Sequence, residues 1–412
     1  MADEWQETTL GEFVRLQRGH DLPEGDRRPG VVPIMGSAGQ NGFHDTAKAS
    51  GPGVVIGRSG VGSMGVVTYS ATDYWPHNTV LYVTNFLGND ERFTYYFLQN
   101  LHLRRFDSGS AQASLNRNYI YPIRIRIPNP PEQRRIAYTL GTLDDKIDLN
   151  RRMNGTLEAT AQALFKSWFV DFDPVRAKVD GLDCGAPKPI ADLFPDSFEE
   201  SELGGIPKGW KVGRFGDVVE CLRDQEDPQS FQEALFQHFS IPAFDAGQTP
   251  KTEYGKSIKS LKLRVPAGVI LLSKLNPDID RVWMVDVRPG DRAVCSTEFL
   301  VLRALSPFTR SFVYCLARSP IFRQQIEGLV TGTSKSHQRA PSDSILNLAV
   351  VIPPSSIVAS FDRYAGDQLA RTLECRRETN TLADLRDTLL PKLISGELRS
   401  TSPDCHEEVG VK

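Results

Sequence analysis

Apolar residues recur at alternating intervals of four and three positions between about residues 132 and 169. The series is Ile136, Leu140, Leu143, Ile147, Asn150, Asn154, Leu157, Ala161, Leu164 and Trp168. This heptad spacing predicts one continuous helix with a single apolar seam, on the order of 55 Å long at ~1.5 Å per residue. Asn150 and Asn154 place amides in the middle of the seam, where polar residues specify register and partner. The pattern therefore predicts a coiled-coil helix with one specified partner.

A second apolar stripe lies near the C-terminal end of the chain. It comprises Phe361, Ala365, Leu369, Leu373, Leu382, Leu385, Leu389 and Leu393, and its phase shifts around Arg376 and Arg377. A lone stripe is equally typical of a core helix in a globular domain, but two long stripes favour pairing with each other. We expect an antiparallel pair, because the chain passes through a whole intervening domain before it returns.

Shorter motifs occur twice in the same order, which predicts an internal repeat. Trp5 and Trp210 each precede a Leu/Phe-Gly-acid step, and residues 54–59 and 269–274 are β-branched apolar runs that end in polar residues. Both runs predict strands that lead into loops. Loops rich in Ser, Thr and Gly follow at 108–114 and 331–336, and each precedes an apolar-Pro segment.

The two copies keep a constant offset in their last part. Pro128 and Pro353 are 225 positions apart (353 minus 128), and the same difference separates Arg151-Arg152 from Arg376-Arg377 and Leu157 from Leu382. An offset without insertions is expected of two continuous helices.

The repeat predicts an α+β fold in which two related, mostly β domains are separated by two long helices that form an antiparallel intramolecular coiled coil. The predicted boundaries are residues 1–128 and 204–352 for the β domains, 129–175 and 353–399 for the helices, 176–203 for a linker and 400–412 for a flexible tail.

Composition narrows the class of protein. The chain has 412 residues, 40% hydrophobic and 24% charged, which is typical of a folded chain with more than one domain. It has no apolar run of the ~20 residues that a membrane-spanning helix needs, and Met1-Ala2-Asp3-Glu4 is unlike a secretory signal. Six scattered cysteines without a Cys-x-x-Cys pair fit a reducing compartment. We expect a cytoplasmic location and no membrane association.

The net charge of −3 is unusual for a protein that binds nucleic acid unaided. The charge is uneven, however, with acidic residues at 180–202 and basic or polar residues at 102–105, 116–126 and 335–339. Local surfaces can therefore be positive although the whole chain is not.

Four segments carry a family resemblance. Ile125-x-Ile127-Pro128-x-Pro130-Pro131-Glu132-Gln133, continued by Ile136, Leu140, Asp144 and Ile147, resembles the signature of the specificity (S) subunits of type I restriction-modification systems. Residues 164–175 resemble the end of the family's central conserved helix, and residues 204–210 resemble the start of its second recognition domain. Residues 390–398 resemble its C-terminal segment. The second copy departs from the signature, since Pro353-Pro354 is followed by Ser355-Ser356 where Glu-Gln would stand.

The resemblance implies a non-catalytic subunit that recognises double-stranded DNA. Each β domain would recognise one half of a bipartite, asymmetric target, and the helix pair would set the spacing between the halves. Two methyltransferase (modification) subunits would dock on the helices, and motor-nuclease (restriction) subunits would join them. S-adenosylmethionine, ATP and Mg would be used by those partners, and this chain would bind no cofactor or metal.

Polar residues at the ends of the repeated strands and in the following loops are candidate DNA contacts, because hydroxyls, amides and cations suit phosphates and base edges. They are Arg58, Ser59, Ser63, Gln112, Ser114, Asn116, Arg117 and Asn118 in the first copy, and Ser273, Lys274, Asn276, Thr333, Lys335, His337, Gln338 and Arg339 in the second. A solvated loop without a ligand is the alternative for each group.

Three motifs suggest catalysis or cofactor binding only superficially. Gly60-x-Gly62-x-x-Gly65 is followed by a strand pattern instead of the helix that a dinucleotide site needs. In Asn129-Pro130-Pro131-Glu132 the position of a base-stacking aromatic is taken by Glu132, so helix entry is favoured over methyltransferase chemistry. Asp171 and Asp173 lack the further acids of a nuclease, and Trp168, Phe169 and Phe172 beside them predict an aromatic cluster at the end of the helix.

Two other classes of protein stay open at this point. A stand-alone adenine-specific methyltransferase would bind S-adenosylmethionine, and a coiled-coil dimeric DNA-binding regulator would pair its helices between chains.

Overall fold

A computed structural model describes residues 5–107, 113–330 and 338–399. The chain divides into two compact units, residues 1–148 with 381–412 and residues 149–380. Both long helices cross this division, so each unit contains a part of each. Among the described residues, no helix has the length and apolar content needed to cross a membrane.

The first unit is mostly β. Its elements are β1 (Trp5–Thr9), α1 (Leu10–Phe13), β2 (Arg15–Arg18), β3 (Val32–Gly36), β4 (Gly39–His44), β5 (Gly53–Gly57), β6 (Val67–Ser70), β7 (Trp75–Pro76), β8 (Val80–Asn85), α2 (Glu91–Asn100), α3 (Arg117–Ile120), β9 (Arg124–Pro128) and the start of α4 (Pro130–Phe169). Short 3-10 turns lie at Glu24–Asp26 and Leu103–Phe106.

The second unit begins within α4 and ends within α11. Its elements are α5 (Asp173–Val179), α6 (Lys188–Ala191), β10 (Phe198–Ser201), β11 (Gly204–Pro207), β12 (Lys211–Arg214), β13 (Val219–Leu222), β14 (Gln225–Glu226), β15 (Leu235–Phe239), α7 (Ile241–Asp245), β16 (Lys251–Tyr254), β17 (Lys262–Arg264), β18 (Ile270–Ser273), β19 (Val282–Met284), β20 (Ala293–Cys295), β21 (Phe299–Ala304), α8 (Arg310–Arg318), α9 (Pro320–Glu327), α10 (Ser342–Leu346), β22 (Ala349–Ile352) and α11 (Ser355–Ser395). Its 3-10 turns are Phe215–Asp217, Pro228–Phe231 and Gly255–Ser257.

A four-stranded antiparallel sheet forms the centre of each unit, and its strands have the same order in both. The order is β2-β8-β5-β6 in the first unit and β13-β21-β18-β19 in the second. The β-branched Val54, Val55 and Ile56 of β5 are fully buried, as expected of an inner strand. Each unit also pairs an entry strand with the strand before a long helix, β1 with β9 and β12 with β22.

The second sheets differ between the units. The first unit has the three-stranded order β4-β3-β7, and the second has the five-stranded order β14-β17-β20-β15-β16. The predicted internal repeat is therefore present around a common central sheet, with different additions on each copy.

In the first unit the start of α4 packs against the end of α11. Ile136 and Leu140 share a hydrophobic core with Leu393 and Ile394, and all four side chains are at most 5% exposed. An ion pair of 2.7 Å joins Asp144 to Arg386. The same Asp144 accepts a hydrogen bond of 2.5 Å from the buried Tyr96 hydroxyl of α2, so the helices are anchored to the β domain.

In the second unit the remainder of α4 packs against the start of α11. The amide of Asn150 donates to Glu378 at 2.9 Å, Glu158 pairs with Arg376, and the Phe165 and Phe361 rings lie 5.7 Å apart. As the α4 residue number rises in each unit, the number of its α11 partner falls. The two helices therefore run antiparallel where they meet within each unit.

The α+β fold class with long helices is confirmed, whereas knobs-into-holes coiled-coil packing stays a prediction. The predicted seam is unevenly buried: Ile136, Leu140, Ile147, Asn150, Leu369 and Leu393 are buried, whereas Leu143, Asn154, Leu157, Leu164, Leu382 and Leu389 are half-buried. The expected aromatic cluster is present, since Trp168, Phe169 and Phe172 lie in the core of the second unit.

The predicted domain boundaries stay a prediction. Within the helical segments predicted at 129–175 and 353–399 the structure has α4 (Pro130–Phe169) and α11 (Ser355–Ser395). The linker predicted at 176–203 contains α6 and β10, and β10 pairs with β11 to make a hairpin. The tail predicted at 400–412 lies outside the described residues.

Phe361 provides a test of this packing. Its side chain is fully buried against the Phe165 and Phe169 rings, at 5.7 and 5.3 Å between centroids. We expect Phe361→Ala to lower the free energy of unfolding of the second unit by about 3 to 5 kcal/mol, because it leaves a cavity between the helices. Denaturant unfolding measures this loss. Tyr364→Ala, at a side chain that is 43% exposed on the same helix, is the control and should change stability by about 0.5 kcal/mol or less. Equal losses in both variants would contradict the packing.

Candidate functional site

In the first unit, the loop after strand β5 is tied to the segment before α3. The Arg58 carbonyl accepts a hydrogen bond of 2.8 Å from the Leu115 N–H, and Ser59 forms an isolated antiparallel bridge with Ser114. Two of the polar segments that the sequence analysis identified, 58–59 and 114–118, are thereby brought together.

The second unit repeats this connection after strand β18. The Lys274 carbonyl accepts from the Ala340 N–H at 3.1 Å, and Leu275 forms an isolated antiparallel bridge with Arg339. Leu115 and Ala340 are 225 positions apart (340 minus 115), the offset that the sequence shows for the long helices. Arg58 and Lys274 are therefore equivalent in the structure. Alignment of the runs 54–59 and 269–274 by sequence would instead have matched Arg58 with Ser273.

An open groove of about 910 Å³ lies at this connection in the first unit. We call it the first groove. It is lined by Gln17, Arg18, Gly19, His20, Asp21, Arg58, Leu81, Ser114, Leu115, Asn116, Arg117, Asn118 and Tyr119. Three guanidinium groups and three amide side chains line this groove, and such groups suit phosphates and the acceptor edges of bases.

A smaller open groove of about 390 Å³ lies at the corresponding place in the second unit. We call it the second groove. It is lined by Cys221, Leu222, Arg223, Gln225, Leu263, Lys274, Thr297, Phe299, Leu300, Pro341, Ser342 and Asp343. The strand ends and the turn that line it are equivalent to those of the first groove, but the side chains differ.

The charges of the grooves differ accordingly. In the second groove Arg223 and Asp343 form an ion pair of 2.7 Å with both side chains exposed, and this carboxylate raises the pKa of Arg223. In the first groove the Arg117 guanidinium donates to the Leu16 carbonyl at 2.8 Å. The side chains of Arg58 and Lys274 make no hydrogen bond or ion pair with another described residue. They are available to an anionic ligand.

Several predicted contacts lie beside the grooves rather than in them. Ser63 donates its hydroxyl to the Ser59 carbonyl at 3.1 Å, which closes the glycine-rich turn. The Asn276 N–H donates to the Gln338 carbonyl at 2.9 Å. Arg339 forms a two-contact pair with Glu298 at 2.7 and 2.9 Å, which holds its segment against β21.

Ser273 has to be removed from the predicted contacts. Its side chain is 1% exposed, and its hydroxyl donates to the Leu275 carbonyl at 3.1 Å. It shapes the turn after β18 and cannot reach a ligand there. Gln112, Thr333, Lys335 and His337 lie outside the described residues.

The sequence analysis missed groove residues that come from other strands. Arg18 lies at the end of β2, and Arg223 follows β13, the corresponding strand. Asp343 was also missed, although the constant offset of 225 from Asn118 (343 minus 118) could have identified it.

The motifs with apparent catalytic character have structural roles. The glycine-rich segment 60–65 connects antiparallel strands β5 and β6, as expected of a loop instead of a dinucleotide site. The Asn129 side chain accepts from the Glu132 N–H at 3.0 Å, so this segment starts a helix. In the described part of the chain, no group of three or more His, Cys, Asp or Glu is arranged to hold a metal ion.

Comparison with known proteins finds a family match in the first part of the chain. Residues 2–159 match the family model described as type I restriction modification DNA specificity domain. The chain is 25% identical over 306 residues to the type I restriction enzyme MjaIX specificity subunit of Methanocaldococcus jannaschii, covering 72% of this chain and 66% of the relative. It is 25% identical over 331 residues to the HindI specificity subunit of Haemophilus influenzae, covering 66% of this chain and 69% of the relative.

A solved structure shows the same fold. The type I restriction-modification S subunit from M. genitalium superposes with a TM-score of 0.61 at 14% identity, covering 94% of this chain and 96% of that chain. The chain is similar to the specificity subunits of type I restriction-modification systems over most of its length, and residues 2–159 match their DNA specificity domain.

In this chain the Glu132-Gln133 segment, which resembles the family signature, has a structural role. Gln133 is 1% exposed; its amide oxygen accepts from the Asp90 N–H at 3.0 Å, and its amide nitrogen donates to Asn89 and to the Pro128 carbonyl at 2.8 and 3.0 Å. These bonds attach the start of α4 to the start of α2. The signature therefore marks where the helix joins the β domain.

Gly57 tests whether the turn positions Arg58. A Cβ on Gly57 would overlap the Ser63 carbonyl oxygen and lie 2.6 Å from that of Ser37. We expect Gly57→Ala to displace the loop and to lower stability by about 1 to 3 kcal/mol, measured by thermal unfolding of the purified chain. Gly25→Ala, where an added Cβ meets nothing within 4 Å, is the matched control and should be nearly neutral. A neutral Gly57→Ala would show that the turn is not constrained in this way.

Proposed function

We propose that this chain is the sequence-specific DNA-recognition subunit of a type I restriction-modification complex, and that it has no catalytic site of its own. Each unit contributes one groove, and each groove recognises one half of a bipartite, asymmetric target. The chain acts with two methyltransferase subunits and with motor-nuclease subunits, which bind S-adenosylmethionine, ATP and Mg. The complex works in the cytoplasm.

The observation that supports this proposal best is the repeated connection at the strand ends. Arg58 and Lys274 occupy equivalent positions, and each is a cation without a protein partner among the described residues. The residues around them differ between the grooves, so the two halves of the target should differ as well. A protein with one active site would have no need of two such grooves.

The long helices are the proposed spacer and docking surface. At about 1.5 Å per residue, α4 is about 60 Å long, and two major-groove sites on one face of B-DNA are about 34 to 36 Å apart. A rigid helix pair of this length can fix such a separation. The net charge of −3 is compatible with the proposal because the partner subunits would provide many of the phosphate contacts.

Methylome sequencing tests the proposal directly. A methylation-free host that expresses this chain together with the modification subunit encoded beside it should acquire one bipartite methylated motif. The motif should be absent when either subunit is omitted, and the purified chain alone should show no S-adenosylmethionine binding in calorimetry. Methylation by the chain alone would overturn the proposal in favour of a stand-alone methyltransferase, and no motif with both subunits present would overturn it altogether.

The two unpaired cations give a second test. We expect Arg58→Gln and Lys274→Gln each to weaken binding of the assembled complex to a duplex that carries the motif. If each cation contacts a phosphate, the slope of log affinity against log salt should fall by about one per substitution. Binding is measured by fluorescence anisotropy over a series of salt concentrations. Lys188→Gln, at an exposed cation in α6, is the control and should leave the slope unchanged. An unchanged slope in both groove variants would exclude these phosphate contacts.

A further inference from the structure

The two grooves carry different polar side chains at one equivalent position. Asn118 lies in the first groove and Asp343 in the second. Two observations support their equivalence. The fully buried Ile120 and Ile345, two residues further on in α3 and α10, have the same offset of 225 (345 minus 120), and so do the Leu115 and Ala340 N–H groups that bind the carbonyls of Arg58 and Lys274.

An arginine at equivalent strand ends lines each groove, together with the position of Asn118 or Asp343. Arg18 pairs with Leu81 between β2 and β8, and Arg223 comes one residue after the pair of Leu222 with Val301 between β13 and β21. Leu81 and Leu300 both line their grooves and are 219 positions apart (300 minus 81). The grooves thus share an arginine at the strand end. At the position of Asn118 and Asp343 one groove has an amide and the other a carboxylate.

The side chains of Asn118 and Asp343 differ in the hydrogen bonds that they can form. A carboxamide both donates and accepts, which matches the N7 acceptor and N6 donor of adenine in the major groove. A carboxylate only accepts, so it matches the N4 donor of cytosine and is repelled by the acceptor edges of guanine and by phosphate. The guanidinium beside it can donate to O6 and N7 of the guanine in the same base pair.

Both side chains are exposed to solvent and can reach a ligand in the groove. Asn118 is exposed. Its backbone N–H, not its side chain, donates the hydrogen bond of 3.0 Å to the Asn116 side chain. The Arg223 and Asp343 side chains are 68% and 79% exposed, and an exposed pair of this kind contributes little to stability. The pair presents donors and an acceptor side by side without having to hold the fold together.

We propose that Asn118 and Asp343 are specificity-determining residues at equivalent positions of the two grooves. Asn118 selects an A·T pair in the half-site of the first unit. Asp343, together with Arg223, selects a G·C pair in the half-site of the second unit. This assignment rests on the proposed function, since it requires that the grooves contact base edges.

A reciprocal exchange tests the assignment. Asn118→Asp and Asp343→Asn are each expressed with the modification subunit in the methylation-free host, and the methylome is sequenced. Asn118→Asp should change one position of the first half-site from A·T to G·C and leave the second half-site unchanged. Asp343→Asn should make the opposite change in the second half-site only. The unchanged half-site in each variant shows that the complex still folds and assembles.

Binding to synthetic duplexes measures how strongly each variant prefers one base pair over the other. At one fixed salt concentration, each variant should prefer the duplex with the exchanged base pair by about 10-fold or more over the original motif. Asp180→Asn, at an exposed carboxylate outside both grooves, should keep the original motif and affinity.

The outcomes separate this inference from the proposed function. A wild-type bipartite motif that neither variant changes would overturn the assignment and leave DNA recognition intact. A change at both half-sites, or a second half-site without any G·C pair, would also overturn it. Absence of a motif with the wild-type chain and modification subunit would instead remove the proposed function itself.

Discussion

Side chains of α4 and α11 belong to the largest hydrophobic core of each unit. In the first unit the start of α4 and the end of α11 share a core with the central sheet and α2, and in the second unit the other ends of the same helices pack around Phe165 and Phe361. Each unit is therefore assembled from segments that are distant in sequence. Because burial of apolar surface is the main stabilising contribution, neither β domain has a complete core without both helices.

The polar contacts between α4 and α11 specify the register in which the two helices pack. Asn150 with Glu378 and Asp144 with Arg386 join specific positions of α4 and α11, and buried or half-buried groups of this kind favour one register over others because a slip would leave them unpaired. The resemblance of the two copies is closest in the elements that meet the helices, such as the β1-β9 and β12-β22 pairs. The copies diverge in their second sheets and in their groove side chains, which do not form the helix contacts.

This separation of roles gives the grooves freedom to differ. The common part of each groove is backbone geometry, namely the hydrogen bonds from Leu115 to Arg58 and from Ala340 to Lys274. Backbone bonds of this kind tolerate many side chains, so the residues beside them can vary without loss of the fold. The scaffold is duplicated, whereas the two groove surfaces differ from each other. This combination suits the recognition of an asymmetric ligand.

The sequence by itself determined the long helices, the duplication and the resemblance to type I specificity subunits. Heptad spacing is a local property, so the extent of α4 could be predicted within a few residues, and the constant offset of 225 showed where the copies correspond. Polar loops indicated the neighbourhood of the first groove, whose lining includes Arg58, Asn116, Arg117 and Asn118. Of the lining of the second groove, only Lys274 was among the predicted contacts. Tertiary structure alone decided which strand ends meet these loops. Arg18 and Arg223 enter through strands 40 to 120 positions away in sequence, and Ser273 turns into the protein because its strand ends one residue later than the apolar run indicates. Pairing between distant strands depends on long-range contacts, and no local pattern of residues specifies them.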